Sequence, residues 1–270
     1  MDIKKYFILA SVVLMAVSCK DKDFDTNVTP KPGTLVQFGG DLEDNAVSST
    51  IYGKEEGAGT TNNYFPIYWL NDTMIVTSME TTGGSTQLST GIYAVPESNI
   101  GGDKDFAGKL DLIVNETSYP GHTGVKWGDA ETQDFYSIYP YRYVSPVNTT
   151  STTTASEFLL KMPNVQTCMV AGSTPVMTTA DMYACFMYAK HTGIKNGSDV
   201  NLGYKPLSTA IRFKLSASQE VTVQRIDLVA PGKALSGEFK VELSGENPVI
   251  TPVTGKTYET VSVFARYESQ

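Results

Sequence analysis

Side chains able to do thiol, metal or acid–base chemistry are few in this sequence, and they are scattered. Its 270 residues hold three cysteines, Cys19, Cys168 and Cys185, and two histidines, His122 and His191. No His-Glu-x-x-His or Cys-x-x-Cys spacing joins them, so a catalytic zinc site is not expected. Cys168, Met169, Met177, Met182, Cys185, Met187 and His191 are soft ligands gathered in one stretch, a set that would suit copper. The same residue types fill irregular cores beside rings such as Tyr183 and Phe186, and a core role is the reading adopted. Asp129, Glu131 and Asp134 supply the carboxylates of a glycosidase pair only if their separation in space allows it; solvated surface acids are the default. The "GKT" at 255–257 lacks the glycine a phosphate loop needs, because position 250 is isoleucine, and no G-x-S-x-G elbow occurs. The expectation is a protein with no enzymatic activity, no cofactor and no metal.

Cys19 has the most informative setting. Lys4 and Lys5 precede an apolar run from Tyr6 to Val17, and the small residues Ala16 and Ser18 lead into the cysteine. That is the layout of an export signal over residues 1–18. Its apolar core of about twelve residues is too short for a bilayer span, which needs roughly 20. A cysteine at the cut resembles the lipobox of bacterial lipoproteins, in which the thiol is acylated and the residue becomes the new N-terminus, although Ala16 stands where leucine is usual. Acyl chains contribute about 0.8 kcal/mol per buried methylene, so several on one residue would hold the chain to a membrane. "KDKDFD", Lys20–Asp25, resembles the acidic surface-export signal of Bacteroidetes lipoproteins. Residues 19–33 then read as an acidic tether that lifts the folded part off the bilayer.

With 21 basic and 29 acidic residues the chain has a formal net charge of −8. No basic patch offers itself to nucleic acid, which is therefore not an expected partner. Fifteen Tyr, eleven Phe and 23 Gly point to β-structure with frequent turns. In an oxidising compartment Cys168 and Cys185 are candidates for a disulfide, and two buried thiols are the equally open alternative.

The elements that must position these groups read as short strands. "TAIRFKL" puts Ile211, Phe213 and Leu215 on one face, and "GEFKVEL" does the same with Phe239, Val241 and Leu243. Further strands are expected at 34–38, 72–78, 109–114, 135–141, 224–230 and 259–267, separated by breakers such as "TTGGST" and "KNGSD". "TADMYACFMYAK" fits a short helix or a strand. Many short strands with turns about every ten residues indicate antiparallel β-sandwiches. The expected organisation is one domain over 34–198 and a second over 199–270. The second is expected to be incomplete, because four or five strands fall short of the roughly seven of a closed sandwich. The aromatics of "YFPIYWLND" (64–72) and "FYSIYPYRY" (135–143) could form a sugar-stacking platform, but alternation sends several of the latter rings to the core.

The order of these segments carries a resemblance. "VQFGGD", "WLNDTMIV", "FYSIYPY", "DMYACFMYAK", "YKPLSTAIRFKLSAS" and "LSGEFKVEL", behind a lipoprotein signal, make the chain similar to the fimbrillin family of Bacteroidetes, the major and minor fimbria subunits and their relatives, from Cys19 to about Leu243. The resemblance implies two transthyretin-like β-sandwich domains in tandem, an outer-membrane surface location, and assembly by strand exchange with other fimbrial subunits. The family's arginine-containing cleavage site is not evident here; Lys54, in "IYGKEEGAGT", is the candidate processing site by exposure and position. The expected function is a fimbrial subunit or a tip or anchor adhesin for a host or bacterial surface ligand. The alternative is a surface glycan-binding lipoprotein of a polysaccharide-utilisation system, which an exposed Tyr68 and Trp69 would favour.

Overall fold

The structure, a computed structural model, describes residues 31–42, 72–100, 106–115, 117–148, 153–171, 177–178, 181–211, 213 and 215–267. The signal, residues 19–30 of the tether with Cys19, and Lys54, Tyr68 and Trp69 lie outside them.

Strands account for nearly all of the regular structure. In chain order they are β1 (Phe38–Leu42), β2 (Thr73–Thr82), β3 (Ser85–Ala94), β4 (Phe106–Lys109), β5 (Asp111–Leu112), β6 (Thr132–Tyr139), β7 (Val144–Asn148) and β8 (Thr153–Met162). There follow β9 (Val165–Ala171), β10 (Met177–Thr178), β11 (Met187–Lys195), β12 (Val200–Pro206), β13 (Arg225–Val229), β14 (Ser236–Glu242), β15 (Val249–Tyr258) and β16 (Thr260–Tyr267). Three short 3-10 turns, Glu97–Asn99, Tyr141–Tyr143 and Met182–Ala184, interrupt them. The "TADMYACFMYAK" stretch resolves into the last of these turns followed by β11.

An eight-stranded sheet in the order β4-β1-β12-β11-β6-β2-β3-β5 dominates, with two four-stranded sheets, β15-β14-β8-β7 and β10-β9-β16-β13. The large sheet is buried on both faces at its centre. Along β2, Met74 and Val76 enter one core and Ile75 the other, and along β6 Phe135 and Tyr139 go one way and Tyr136 and Ile138 the other. This is the period of two expected of a strand, here with apolar cover on each side. The first core is closed by residues of the large sheet itself, among them Phe38, Leu202 and Tyr204, together with Val125 and Trp127. The second is the sandwich layer between the large sheet and β7, β8 and β14, through Val144, Phe158, Leu160 and Val241. The alternation of "FYSIYPY" thus sends its rings inward, as its pattern predicts.

Local chemistry sets the turns. Gly83 and Gly84 join β2 to β3 at φ of 59° and 80°, a two-residue hairpin turn that L side chains adopt with strain. Gly193, at φ 68°, sits in the bulge of β11 between His191 and Ile194, where its N–H donates to Asp134 Oδ1 at 2.6 Å.

Three features differ from the sequence reading. The described residues of "TAIRFKL" are not in a strand: among the described residues between 207 and 224 none lies in a ladder. Alternation specifies which side chains share a face but supplies no partner, and the described residues of this segment pair with no described strand. Two pairings are parallel, β1 with β12 and β9 with β16, so the sheets are mixed. Finally, pairing crosses the expected boundary at 199, because β12 lies between β1 and β11, and β8 pairs with β14. Strands on either side of residue 199 therefore share sheets.

Candidate assembly groove

The described residues contain no cluster of three His, Cys, Asp or Glu side chains placed to hold a metal ion. What the chain does offer is a strand seat. The segment from Gly33 to Leu42 lies between two walls. Gly33 N–H donates to Trp127 O at 2.8 Å, Trp127 N–H to Thr34 O at 2.9 Å and Val36 N–H to Val125 O at 2.9 Å. Further on, β1 runs parallel to β12, with Phe38 opposite Val200 and Leu42 opposite Tyr204, and antiparallel to β4 on its other side. Positions 36, 38 and 40 are buried, the inward half of a period-two pattern.

Phe38 is the anchor of this strand. Its ring is fully buried and meets Tyr93 and Phe135 edge to face at 5.1 and 5.3 Å, while Trp127 stacks on Phe135 at 5.4 Å in the same manner. Such a side chain contributes about 1.5–3 kcal/mol by burial, with up to about 1 kcal/mol more from each well-placed ring pair. Gly39 lets the strand approach β12 closely: a Cβ there would stand 2.8 Å from Asn201 Oδ1. Tyr93 and Tyr204 form the polar fringe of the seat. Tyr93 Oη accepts from Val125 N–H at 3.1 Å, and its burial pushes the phenol up to about 12. Tyr204 Oη lies 2.6 Å from Ser137 Oγ, and complete burial pushes its phenol up as well. Without β1, two rows of backbone donors and acceptors and an apolar trough would face water, a combination a replacement strand satisfies.

A second feature concerns the surface. Among the described residues thirteen large hydrophobic side chains are exposed, and nine of them lie between Ile211 and Phe264. Ile211, Phe213 and Leu215, the inward set expected of "TAIRFKL", are 60%, 46% and 59% exposed. Among the described side chains the sheet β10-β9-β16-β13 contributes none to either core, and its half-buried face carries Ile226, Leu228 and Val263. Most of the exposed large hydrophobic side chains among the described residues thus lie in the last third of the chain.

The remaining expected residues take structural places. Cys168 on β9 and Cys185 before β11 stand as thiols, not as a disulfide; burial pushes the Cys168 thiol up, and Cys185 Sγ lies 3.8 Å from Asp181 O. Asp181 itself ties β9 to the 3-10 turn, accepting from Thr167 N–H at 2.9 Å and Tyr183 N–H at 3.2 Å. Met187 is buried in the first core, whereas the side chains of Met169, Met177 and Met182 lie outside the described ones. Asp129 accepts from Gly83 N–H at the β2–β3 turn while Asp134 serves the β11 bulge, so these two carboxylates hold different turns. His122 Nδ1 lies 2.9 Å from Thr90 Oγ1 and its ring meets Tyr141 edge to face at 5.8 Å, and Tyr119 meets Tyr141 likewise at 5.7 Å. Beside them Arg142 lies over the Tyr183 ring at 3.9 Å and reaches Asp72 Oδ2 at 3.8 Å; burial pushes the Asp72 carboxyl up against the pull of Thr73 N–H and Arg142. These tyrosine pairs pack edge to face, not as a coplanar platform.

No family profile and no curated protein matches this chain. Among solved structures it is similar to a protein from Bacteroides ovatus proposed to act in cell adhesion, at 12% identity and a TM-score of 0.33, over 86% of this chain and 77% of that one. That likeness is too slight to carry an argument, and the functional reading rests on the chain itself.

Proposed function

We propose that this chain is a surface lipoprotein of an outer membrane, held by acyl chains on Cys19, and that it serves as a fimbrial subunit or a tip or anchor adhesin, joined to its neighbours by strand donation and without enzymatic activity. One observation carries the reading. β1, the first strand of the described chain, is inserted between β12 and β4 with its apolar residues in the core, so that its departure leaves a groove shaped for another strand. Cleavage after Lys54 would remove the acylated Cys19 segment and sever the covalent link between β1 and the rest of the fold, so the lipid holds the uncleaved chain, and a partner strand would then satisfy the cleaved chain's groove and trough together. Stable anchoring to the membrane needs more than one acyl chain, which a modified N-terminal cysteine supplies.

The test is strand replacement. The purified chain is treated briefly with trypsin, the protease is quenched, and a fluorescent peptide of residues 34–42 is added. The reading predicts a rise in anisotropy after cleavage and none before it. Failure of that peptide to bind, in a sample where mass spectrometry shows the segment through Lys54 cut away and lost, contradicts the reading.

A further inference from the structure

A half-exposed arginine at the rim of the second core is held from two sides. Arg142 sits in the 3-10 turn Tyr141–Tyr143 that follows β6. Its guanidinium carbon lies 3.9 Å over the centre of the Tyr183 ring, and its Nε faces Asp72 Oδ2 at 3.8 Å. The Asp72 side chain is only 9% exposed, against 49% for Arg142 and 42% for Tyr183. Asp72 Oδ1 accepts from Thr73 N–H at 2.7 Å, whereas Oδ2 is buried without a hydrogen bond. As a structural ion pair this is a poor return, because burying a carboxylate costs more than one long contact to a half-solvated cation gives back. What the arrangement does achieve is orientation: the ring beneath the guanidinium and the acid behind its Nε fix the direction of the fork.

Arg142 donates no hydrogen bond to any described residue, so the N–H groups of its two terminal nitrogens are not matched by an acceptor of the fold. A guanidinium edge of this kind presents two parallel donors at the spacing of a carboxylate's oxygens, and one already fixed in direction loses little freedom on binding. Half-buried polar groups stand beside it. Tyr141, the preceding residue of the same turn, has its Oη 3.5 Å from His122 Nε2, and His122 Nδ1 lies 2.9 Å from Thr90 Oγ1. Fixed hydroxyl and imidazole groups next to rings suit a ligand that carries several hydroxyls on a compact frame. Charge narrows the class. The chain has a formal net charge of −8, Asp72 already balances Arg142, and Asp181 lies close by, accepting from Tyr183 N–H at 3.2 Å. A bare inorganic anion gains little in such a field, whereas a carboxylate borne on a hydroxylated ring engages the fork and the neighbouring groups together.

We propose that Arg142, seated on Tyr183 with Tyr141 and His122 beside it, is a binding site for a carboxylated sugar of a surface glycan, the sugar carboxylate lying bidentate on the guanidinium and the sugar hydroxyls meeting Tyr141 and His122. The site gives the adhesin role a ligand class and rests on that role, but it does not depend on the replacement of β1. Tyr141 and Tyr143 pack against the second core, whereas Phe38 of β1 belongs to the first, so the two features lie in different parts of the fold.

The test uses the full, uncleaved chain, titrated in saturation-transfer NMR with D-glucuronic acid, with its neutral amide D-glucuronamide, and with tetraglutamate. The expected result is that the sugar acid binds and that the amide binds roughly tenfold or more weakly, since only the carboxylate matches the fork. Arg142→Gln and Arg142→Lys should each weaken the sugar acid by about tenfold or more, the lysine because it keeps the charge but not the planar pair of donors. Absence of binding, equal binding of acid and amide, or unchanged binding by Arg142→Gln overturns the site. Tetraglutamate binding as tightly as the sugar acid also overturns it, and makes Arg142 a docking point for acidic peptide. The acid–amide comparison is made on the native chain, so it decides the matter even if a variant fails to fold. A chain that binds no sugar acid but still takes up the 34–42 peptide after cleavage loses this site alone; one that binds the sugar acid but not the peptide loses strand replacement alone.

Discussion

Phe38 and Tyr93 show how single residues set the groove's energetics. Removing the buried Phe38 ring loses its transfer free energy and leaves a cavity between Tyr93 and Phe135, so Phe38→Ala should destabilise the chain by about 3–5 kcal/mol, read as a lowered urea midpoint at unchanged slope. Tyr93 makes a separate, pH-dependent contribution. Its folded value of about 12 lies above the ordinary 10.0, so the unfolded chain loses that proton first. The associated stability is complete below pH 10 and is lost as pH climbs toward 12, by roughly 2–3 kcal/mol at about 1.4 kcal/mol per unit. Alkaline melting curves should therefore fall less steeply for Tyr93→Phe than for the native chain; equal slopes would show that this phenol does not govern the loss. The inward set of "FYSIYPY" was legible from alternation alone, because a strand with apolar neighbours on both faces still obeys the period of two. The roles of Asp134 and Asp181 were not legible, since each binds the backbone of a residue brought near only by the fold, Gly193 and Thr167.

At the scale of elements, the strands around Met74, Phe239 and Val263 follow their sequence patterns, and "TTGGST" becomes the β2–β3 turn. Pairing partners did not follow in the same way. β1 pairs with β12 and β8 with β14 across long stretches of chain, and nothing local encodes such contacts. "TAIRFKL" is the instructive failure: its alternation is as clean as that of "GEFKVEL", yet among the described residues only the latter finds strand neighbours, β8 and β15. A described residue outside any ladder has an unprotected amide. Hydrogen exchange should thus be fast at Ile211, Phe213 and Leu215 and slow at Ile75 and Ile138, which pair in the centre of the large sheet. Slow exchange at Ile211, Phe213 and Leu215 would mean that these residues are paired after all. The edge strand β15 is a second exposed element, with Val249 and Ile250 outward and Pro252 limiting how far its free side can pair.

For the whole molecule, the proposed scheme has an acylated N-terminus holding the uncleaved chain and a strand, β1, that leaves together with that anchor on cleavage. The anchor is tested on cells. Feeding an alkyne fatty acid should label the uncleaved native chain, whereas uncleaved Cys19→Ser should be unlabelled; equal labelling of the two would end the lipoprotein claim. Assembly is tested most directly on chain recovered from the cell surface and run in SDS without boiling. The account predicts a ladder of high-mass species that collapses on boiling to a subunit beginning after residue 42. A single monomer-sized band before and after boiling, still carrying residues 34–42, would contradict it.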